Sequence, residues 1–261
     1  MKDKVVWITG ASSGIGEACA RACSQQGAKV ILSARSVSKL EQIASTLQEA
    51  AILPVDVSDT NDTPAKVEEA INAFGQVDVL INNAGISQRG LVKETSLDVD
   101  RRIFEVNYFG NIALTKALLP HMMDRKTGNI AVISSIAGKL ATPGRSSYAA
   151  SKHALHGFYD ALRAEVTDHG IGINMICPGY IRTNISVNAL NGAGEKHGVM
   201  DPNQDAGISA ETCASMIVEA INKNKRELHI GKREKTAVQI RKVAPSYYHN
   251  MILKMAREGR Y

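Results

Sequence analysis

Seven short apolar runs, separated by stretches of helical period, leave this 261-residue chain few folds to choose from. The runs are VVWIT (5–9), KVILSA (29–34), AAILPVDV (50–57), VDVLINNAG (77–85), GNIAVISS (128–135), IGINMICPG (171–179) and a weaker ELHIG (227–231). Between them, residues 15–26, 36–49, 61–74, 97–119, 147–168 and 209–222 repeat their apolar positions every three to four residues. Strands separated by a helix cannot pair as tight hairpins. They line up in parallel, with the crossover helices covering both faces of the sheet. The predicted fold class is therefore α/β and doubly wound, with a seven-stranded parallel sheet flanked by helices.

No Pro-, Gly- or Ser-rich linker divides the chain, so residues 1–261 read as one domain. Hydrophobic residues are 44% of the total and aromatics only 5%, which gives the aliphatic core that a doubly covered sheet requires. Two regions depart from the alternation. Residues 184–208 are polar and glycine-rich, and a loop of that length in a compact domain is predicted to be a substrate loop. Residues 233–261 have helical pattern on both sides of Pro245 and are predicted to be a C-terminal helical extension.

The formal charge of +5 is unevenly spread, because 11 Lys or Arg face only 3 Asp or Glu between Lys223 and Tyr261. That tail is read as a solvated helix face, with an acidic partner or a lipid surface as the alternative, and no nucleic acid is expected as a partner. Cys19, Cys23, Cys177 and Cys213 are scattered without a CxxC pair, as in a reduced compartment. MKDK runs straight into the first strand, and no apolar run approaches the ~18 residues that span a bilayer. A cytoplasmic protein with no transmembrane segment is expected. His153, His156 and His197 lack ligand spacing to Cys or acidic residues, so no metal site is expected.

Chemistry first appears in TGASSGIG, where Gly10, Gly14 and Gly16 separate the first strand from the first helix. Glycines there allow a sharp turn, let backbone N–H groups approach a pyrophosphate, and let the helix pack against the sheet. This is the Rossmann arrangement, and it makes Ser12, Ser13 and Ile15 candidate cofactor contacts with the three glycines. About twenty positions on, where an acidic residue would hold a ribose 2′-hydroxyl, the sequence has Ala34 and then Arg35. A guanidinium suits a 2′-phosphate, so the expected cofactor is NADP(H). Asp56 and Val57, and Asn83, Ala84 and Gly85 in NNAG (82–85), end further strands on the side where adenine and ribose would lie.

Tyr148 and Lys152 stand four apart in SYAASKHAL, on one face of a helix, so both head groups can enter one cleft. Bringing a phenol from pKa ~10 to ~7 takes roughly 4 kcal/mol. An ammonium ~5 Å away at an effective dielectric of ~20 supplies roughly 3 kcal/mol of this. Ser135 ends the fifth strand thirteen positions earlier, and Asn107 lies in the middle of the predicted helix 97–119.

Together TGASSGIG, NNAG, Asn107, Ser135, YAASK and PGYIRT (178–183) resemble the short-chain dehydrogenase/reductase superfamily in its compact, NADP(H)-preferring form, over residues 4–231. PGYIRTNISVNAL and the tail after it are similar to the dehydrogenase/reductase member-seven group. The resemblance implies Tyr148 as general acid in carbonyl reduction and base in alcohol oxidation, with Ser135 holding the substrate oxygen. It also implies that Lys152 binds the nicotinamide ribose and acidifies Tyr148, and that Asn107 anchors a water joining Lys152 to solvent. Pro178, Gly179, Ile181 and Thr183 would contact the carboxamide. Gln88, Arg89, Leu140 and Pro143 are expected around a small carbonyl or alcohol substrate, and a homodimer or homotetramer is implied. Two other readings stay open. One is a 3-oxoacyl-thioester reductase that docks an acidic carrier through Arg101, Arg102 and the basic tail. The other is a dinucleotide-binding regulator without turnover.

Overall fold

Val5–Thr9 (β1) lies inside the sheet, with two strands beyond it on one side and four on the other, and all five of its residues are buried because helices cover both faces. The structure, a computed structural model, describes residues 1–259. In chain order the other strands are β2 (Lys29–Ser33), β3 (Ala50–Ile52), β4 (Val79–Asn82), β5 (Gly128–Ile133), β6 (Ile171–Pro178), the short β7 (Ile181–Arg182) and β8 (Ile208–Ser209), and β9 (Glu227–Ile230). The main sheet runs β3-β2-β1-β4-β5-β6-β9 and every pairing in it is parallel. Strand order reverses between β1 and β4. Loops leaving those two strands diverge to opposite sides and open a crevice at their carboxyl ends.

The helices are α1 (Gly14–Gln25), α2 (Val37–Ala44), α3 (Thr63–Phe74), α4 (Leu97–Phe104), α5 (Gly110–Asp124), α6 (Ser146–Glu165), α7 (Pro202–Asp205), α8 (Ala210–Asn222), α9 (Glu234–Val243) and α10 (Pro245–Arg257). Side chains alternate across the strands, so neighbouring residues feed different layers. Trp7, Ile31, Leu80 and Ile130 join one apolar cluster with Leu114, Leu118 and Tyr159 of α5 and α6. Ile8, Leu32 and Ile81 join the other with Cys19, Leu40 and Ile217 of α1, α2 and α8. Each such buried Leu or Ile contributes roughly 1.5–3 kcal/mol. The indole of Trp7 donates to Ser33 Oγ at 2.8 Å, so its polar edge is satisfied within the core.

Two predicted elements are interrupted. The run 50–57 is a paired strand only over β3. Leu53 N and Val55 N still donate to Leu32 O and Ala34 O at 3.0 and 3.3 Å, but Pro54 between them has no N–H to give. The predicted helix 97–119 is split by a π turn over Glu105–Phe109, with Asn107 inside it. Gly110, just beyond, is pressed against the chain after β3: a Cβ there would lie 2.1 Å from Val57 O. Such single-turn bulges shift the helical register by one residue and occur often at functional sites. Pro245 begins α10, where its missing N–H costs nothing.

Candidate active site

Glycine geometry opens the crevice. Gly10 has φ +65°, and a Cβ on it would sit 2.9 Å from both Ala84 Cα and Asn83 Nδ2. The Asn83 amide donates to Thr9 O (2.9 Å) and Gly10 O (3.2 Å), and Thr9 Oγ1 accepts from the N–H groups of Asn83 and Ala84, both at 3.0 Å. The turns after β1 and β4 are thereby locked together. Gly16 plays a packing part, since a Cβ there would be 2.3 Å from Gly10 O, and it does not line the crevice. Ser13, the residue before α1, makes no side-chain cap, which leaves the first N–H groups of the helix free to meet an anion.

A cleft of about 540 Å³ follows, lined by Gly10, Ser12, Ser13, Gly14, Ile15, Arg35, Asp56, Val57, Asn83, Ala84, Gly85 and Thr183. Lys39 and Arg102 line it as well. Burial would raise the Asp56 carboxyl, but hydrogen bonds from Ser58 and the charges of Arg35 and Arg102 hold it below its ordinary value. Two guanidiniums acting on one carboxylate, with Lys39 lining the same cleft, make this end suitable for a phosphate-bearing dinucleotide. Lys39 is missed in the sequence although it stands four positions beyond Arg35, and Arg102 is expected there only as a carrier contact. Its neighbour Arg101 pairs with Asp98 at 3.2 Å.

The cleft continues into a second cavity of about 260 Å³, and Ile15, Asn83, Gly85 and Thr183 line both. Ser135, Tyr148, Lys152, Pro178, Gly179 and Ile181 line the second cavity. Ser135 follows β5, and its hydroxyl donates to Pro178 O at 3.2 Å, accepts from Ala137 N at 3.0 Å and hydrogen-bonds the Tyr148 phenol. Lys152 is buried and its ammonium donates to Ile133 O at 2.8 Å. Burial pulls its pKa down to about 8. Ser134, one residue before Ser135, turns its hydroxyl to Lys152 O (3.2 Å) and His156 Nε2 (3.1 Å).

Asn107 is fully buried and lines neither cavity. Its Oδ1 accepts from Ile86 N at 2.8 Å, and its Nδ2 donates to Ile86 O at 2.9 Å and Ser151 Oγ at 3.1 Å. The π turn therefore grips the chain after β4. At Gly85 an added Cβ would lie 3.2 Å from Asn107 Oδ1 and 3.5 Å from Lys152 Nζ, so this grip sits directly beside the ammonium.

The electrostatics differ from the sequence expectation. Burial pushes the Tyr148 phenol above its ordinary value; the Ser135 hydrogen bond and the charges of Arg145 and Arg89 oppose the rise without overcoming it. Arg145 and Arg89 are cations that act on the phenol. Of the expected pocket residues, Arg89 and Leu140 line the cavity, whereas Gln88 is buried with its amide donating to Gly90 O and Thr95 Oγ1, and Pro143 is not on the wall. The outer wall comes from α9 and α10 through Ala237, Tyr248, Met251, Ile252 and Met255. Tyr248 fastens that wall by donating to Ala141 O at 3.2 Å. Among the described residues no helix is long and apolar enough to cross a membrane, and no group of His, Cys, Asp or Glu is placed to hold a metal.

Comparison with known proteins agrees with this construction. The family model described as short chain dehydrogenase matches residues 4–193. The rat protein named dehydrogenase/reductase SDR family member 7B is 44% identical over 271 residues, covering 100% of this chain and 83% of its own length. A short-chain dehydrogenase/reductase from Burkholderia phymatum, solved in complex with NAD, superposes with TM-score 0.82 at 27% identity, over 92% of this chain and 93% of its own. An alcohol dehydrogenase from the archaeon Thermococcus sibiricus, complexed with 5-hydroxy-NADP, does so with TM-score 0.76 at 28% identity, over 88% and 97%. With the sheet order, the glycine turn and near-complete coverage of a curated relative all in agreement, the chain belongs to the short-chain dehydrogenase/reductase superfamily of oxidoreductases, and within it to the dehydrogenase/reductase member-seven group.

Proposed function

We propose that the protein is an NADP(H)-dependent oxidoreductase that interconverts a carbonyl and a secondary alcohol. The observation that carries this reading is the meeting of Ser135, Tyr148 and Lys152 at one cavity that opens into the glycine-turn cleft. Arg35, Lys39 and Arg102 would face the 2′-phosphate of the adenosine ribose, the α1 N-terminus the pyrophosphate, and Pro178, Gly179, Ile181 and Thr183 the carboxamide. The 5-hydroxy-NADP carried by the Thermococcus sibiricus relative supports a phosphorylated dinucleotide. Bound NADPH supplies the hydride.

The chain's own groups manage the proton. With its pKa raised, Tyr148 holds its proton at neutral pH and can give it to a carbonyl oxygen, which suits the reductive direction. Ser135 keeps the phenol hydrogen-bonded and offers its hydroxyl to the same oxygen. Lys152, with a pKa of about 8, remains mostly cationic at pH 7, placed for a ribose hydroxyl. Asn107 holds the Gly85–Ile86 backbone against that ammonium. The segment 184–208 and α9–α10 enclose the substrate. Four buried thiols fit a reducing, cytoplasmic setting, and exposed Leu97 and Phe109, at the two ends of the segment from α4 through the π turn, fit a homodimer or homotetramer contact.

The test is NADPH oxidation against a panel of aldehydes, steroids, retinoids and acyl thioesters. Tyr148→Phe should bind NADPH normally and lose ~10²–10⁴ in turnover. A Phe variant within a few-fold of the parent removes the mechanism, and tight NADPH binding with no turnover on any compound favours the regulator instead.

A further inference from the structure

One carboxylate is shared by two guanidiniums that line the cavity. Asp201 Oδ2 accepts from Arg145 Nη2 at 2.6 Å and from Arg89 Nη2 at 3.3 Å. The three side chains are only 16%, 13% and 14% exposed for Arg145, Arg89 and Asp201. Arg89 and Arg145 line the cavity beside Tyr148, and Asp201 stands behind them. Each arginine has a second hold. Arg89 donates to Ser87 Oγ at 3.1 Å and Gln88 O at 3.2 Å, while the Arg145 guanidinium lies 5.8 Å from the centre of the Tyr180 ring. Removing Asp201 would therefore leave both cations in place and uncompensated.

Asp201 belongs to the segment 184–208 and caps α7, with its Oδ1 accepting from Asn203 N at 2.9 Å. The same segment reaches the chain around Arg89 by backbone, where Leu190 N donates to Ser87 O at 2.9 Å and Arg89 N to Leu190 O at 2.8 Å. We propose that Asp201 is the latch of this segment and a positioning residue of the site: closing the segment brings its carboxylate onto Arg89 and Arg145, and this halves their charge beside Tyr148. The proposal rests on the oxidoreductase reading above. In the closed segment the triad carries only one net positive charge and leaves Tyr148 in its proton-bearing form, ready to act as acid; withdrawal of Asp201 turns the two arginines into a net dication that favours the phenolate.

Other titratable groups that line the cavity are engaged elsewhere. Lys152 and Ser135 are held as described. Glu234 of α9 is occupied by Tyr180 N at 3.0 Å, and the Tyr248 hydroxyl of α10 by Ala141 O. Burial and neighbouring Arg145 hold the Arg89 charge below its ordinary pKa, with Asp201 opposing them, so Asp201 is a main support of that charge.

Two measurements decide it. Asp201→Asn keeps the α7 cap and removes the charge. It should move the alkaline limb of kcat/KM for carbonyl reduction down by about one pH unit, Arg145→Gln should move it up, and Arg145→Lys should restore the parental midpoint. Limbs that stay put in Asp201→Asn, or that move the same way in Asp201→Asn and Arg145→Gln, overturn the charge compensation. Trypsin cleavage after exposed Lys196, within the segment, should be several-fold faster in Asp201→Asn than in the parent. Equal cleavage overturns the latch, and this readout needs no turnover. A parent without turnover on any carbonyl, or a Tyr148→Phe variant that keeps the limb, overturns the oxidoreductase reading and the charge-compensating role with it, while the cleavage rates still decide the latch.

Discussion

Replacing Asn107 by alanine removes three buried hydrogen bonds at once: Ile86 N to Oδ1 (2.8 Å), Nδ2 to Ile86 O (2.9 Å) and Nδ2 to Ser151 Oγ (3.1 Å). Each such bond contributes about 0.5–1.5 kcal/mol net, and buried groups left unpaired cost about 1–3 kcal/mol apiece. Ile86 loses the partners of both its N–H and its carbonyl, so the expected destabilisation is about 3 kcal/mol. Urea unfolding reads this directly, because the single Trp7 is fully buried in β1 and its fluorescence reports the core. At roughly 3 kcal/mol per M the midpoint should fall by about 1 M. Asn107→Asp keeps the acceptor and loses the donor, so it should recover part of the loss only when its carboxyl is protonated, at low pH. A midpoint shift in Asn107→Ala below roughly 0.3 M, about 1 kcal/mol on the same slope, would refute the argument that this side chain fastens the π turn to the chain after β4.

Arg35→Ala should raise the KM for NADPH about ten- to a hundredfold and leave that for NADH nearly unchanged, as steady-state kinetics with both nucleotides would show. Ser135→Ala should lower kcat strongly, whereas Ser134→Ala, whose hydroxyl is engaged by Lys152 O and His156, should affect thermal stability more than turnover; equal kinetic losses would contradict the assignment. Asp78 is buried and accepts from Val5 N at 2.9 Å and Arg125 Nη2 at 2.6 Å; burial would raise its carboxyl, but these partners hold it below the ordinary value. Its contribution is therefore fully present above about pH 4 and lost as pH falls below that. The urea midpoint of the parent should drop over that acid range more steeply than that of Asp78→Asn, and parallel curves would count against the pair.

Local chemistry made the sheet legible. Period-two and period-3.6 patterns, with glycine at the first turn, specify parallel strands, whereas the order of the strands is seen only in the folded chain. What periodicity misses is tertiary contact. Residues 97–119 have an unbroken helical pattern, yet the Asn107–Ile86 bonds and the Gly110 contact with Val57 O impose a π turn that no neighbour in sequence signals. At the site, Tyr148 and Lys152 were legible because one turn of helix fixes their spacing. Arg145 and Asp201 are 56 positions apart, and their pairing depends on how a long polar segment folds back. Similarly, Pro245 and the amphipathic pattern foretold α10 without revealing that Met251 and Met255 form a cavity wall.

That wall has a consequence for biosynthesis. The last residue lining the nucleotide-sized cleft is Leu190, whereas the adjoining cavity draws on Met255. A ribosome making this chain exposes every piece of the cleft well before the piece that roofs the cavity. The two halves of the site thus mature in sequence, and the compartment for the second reactant exists only after α10 has been made.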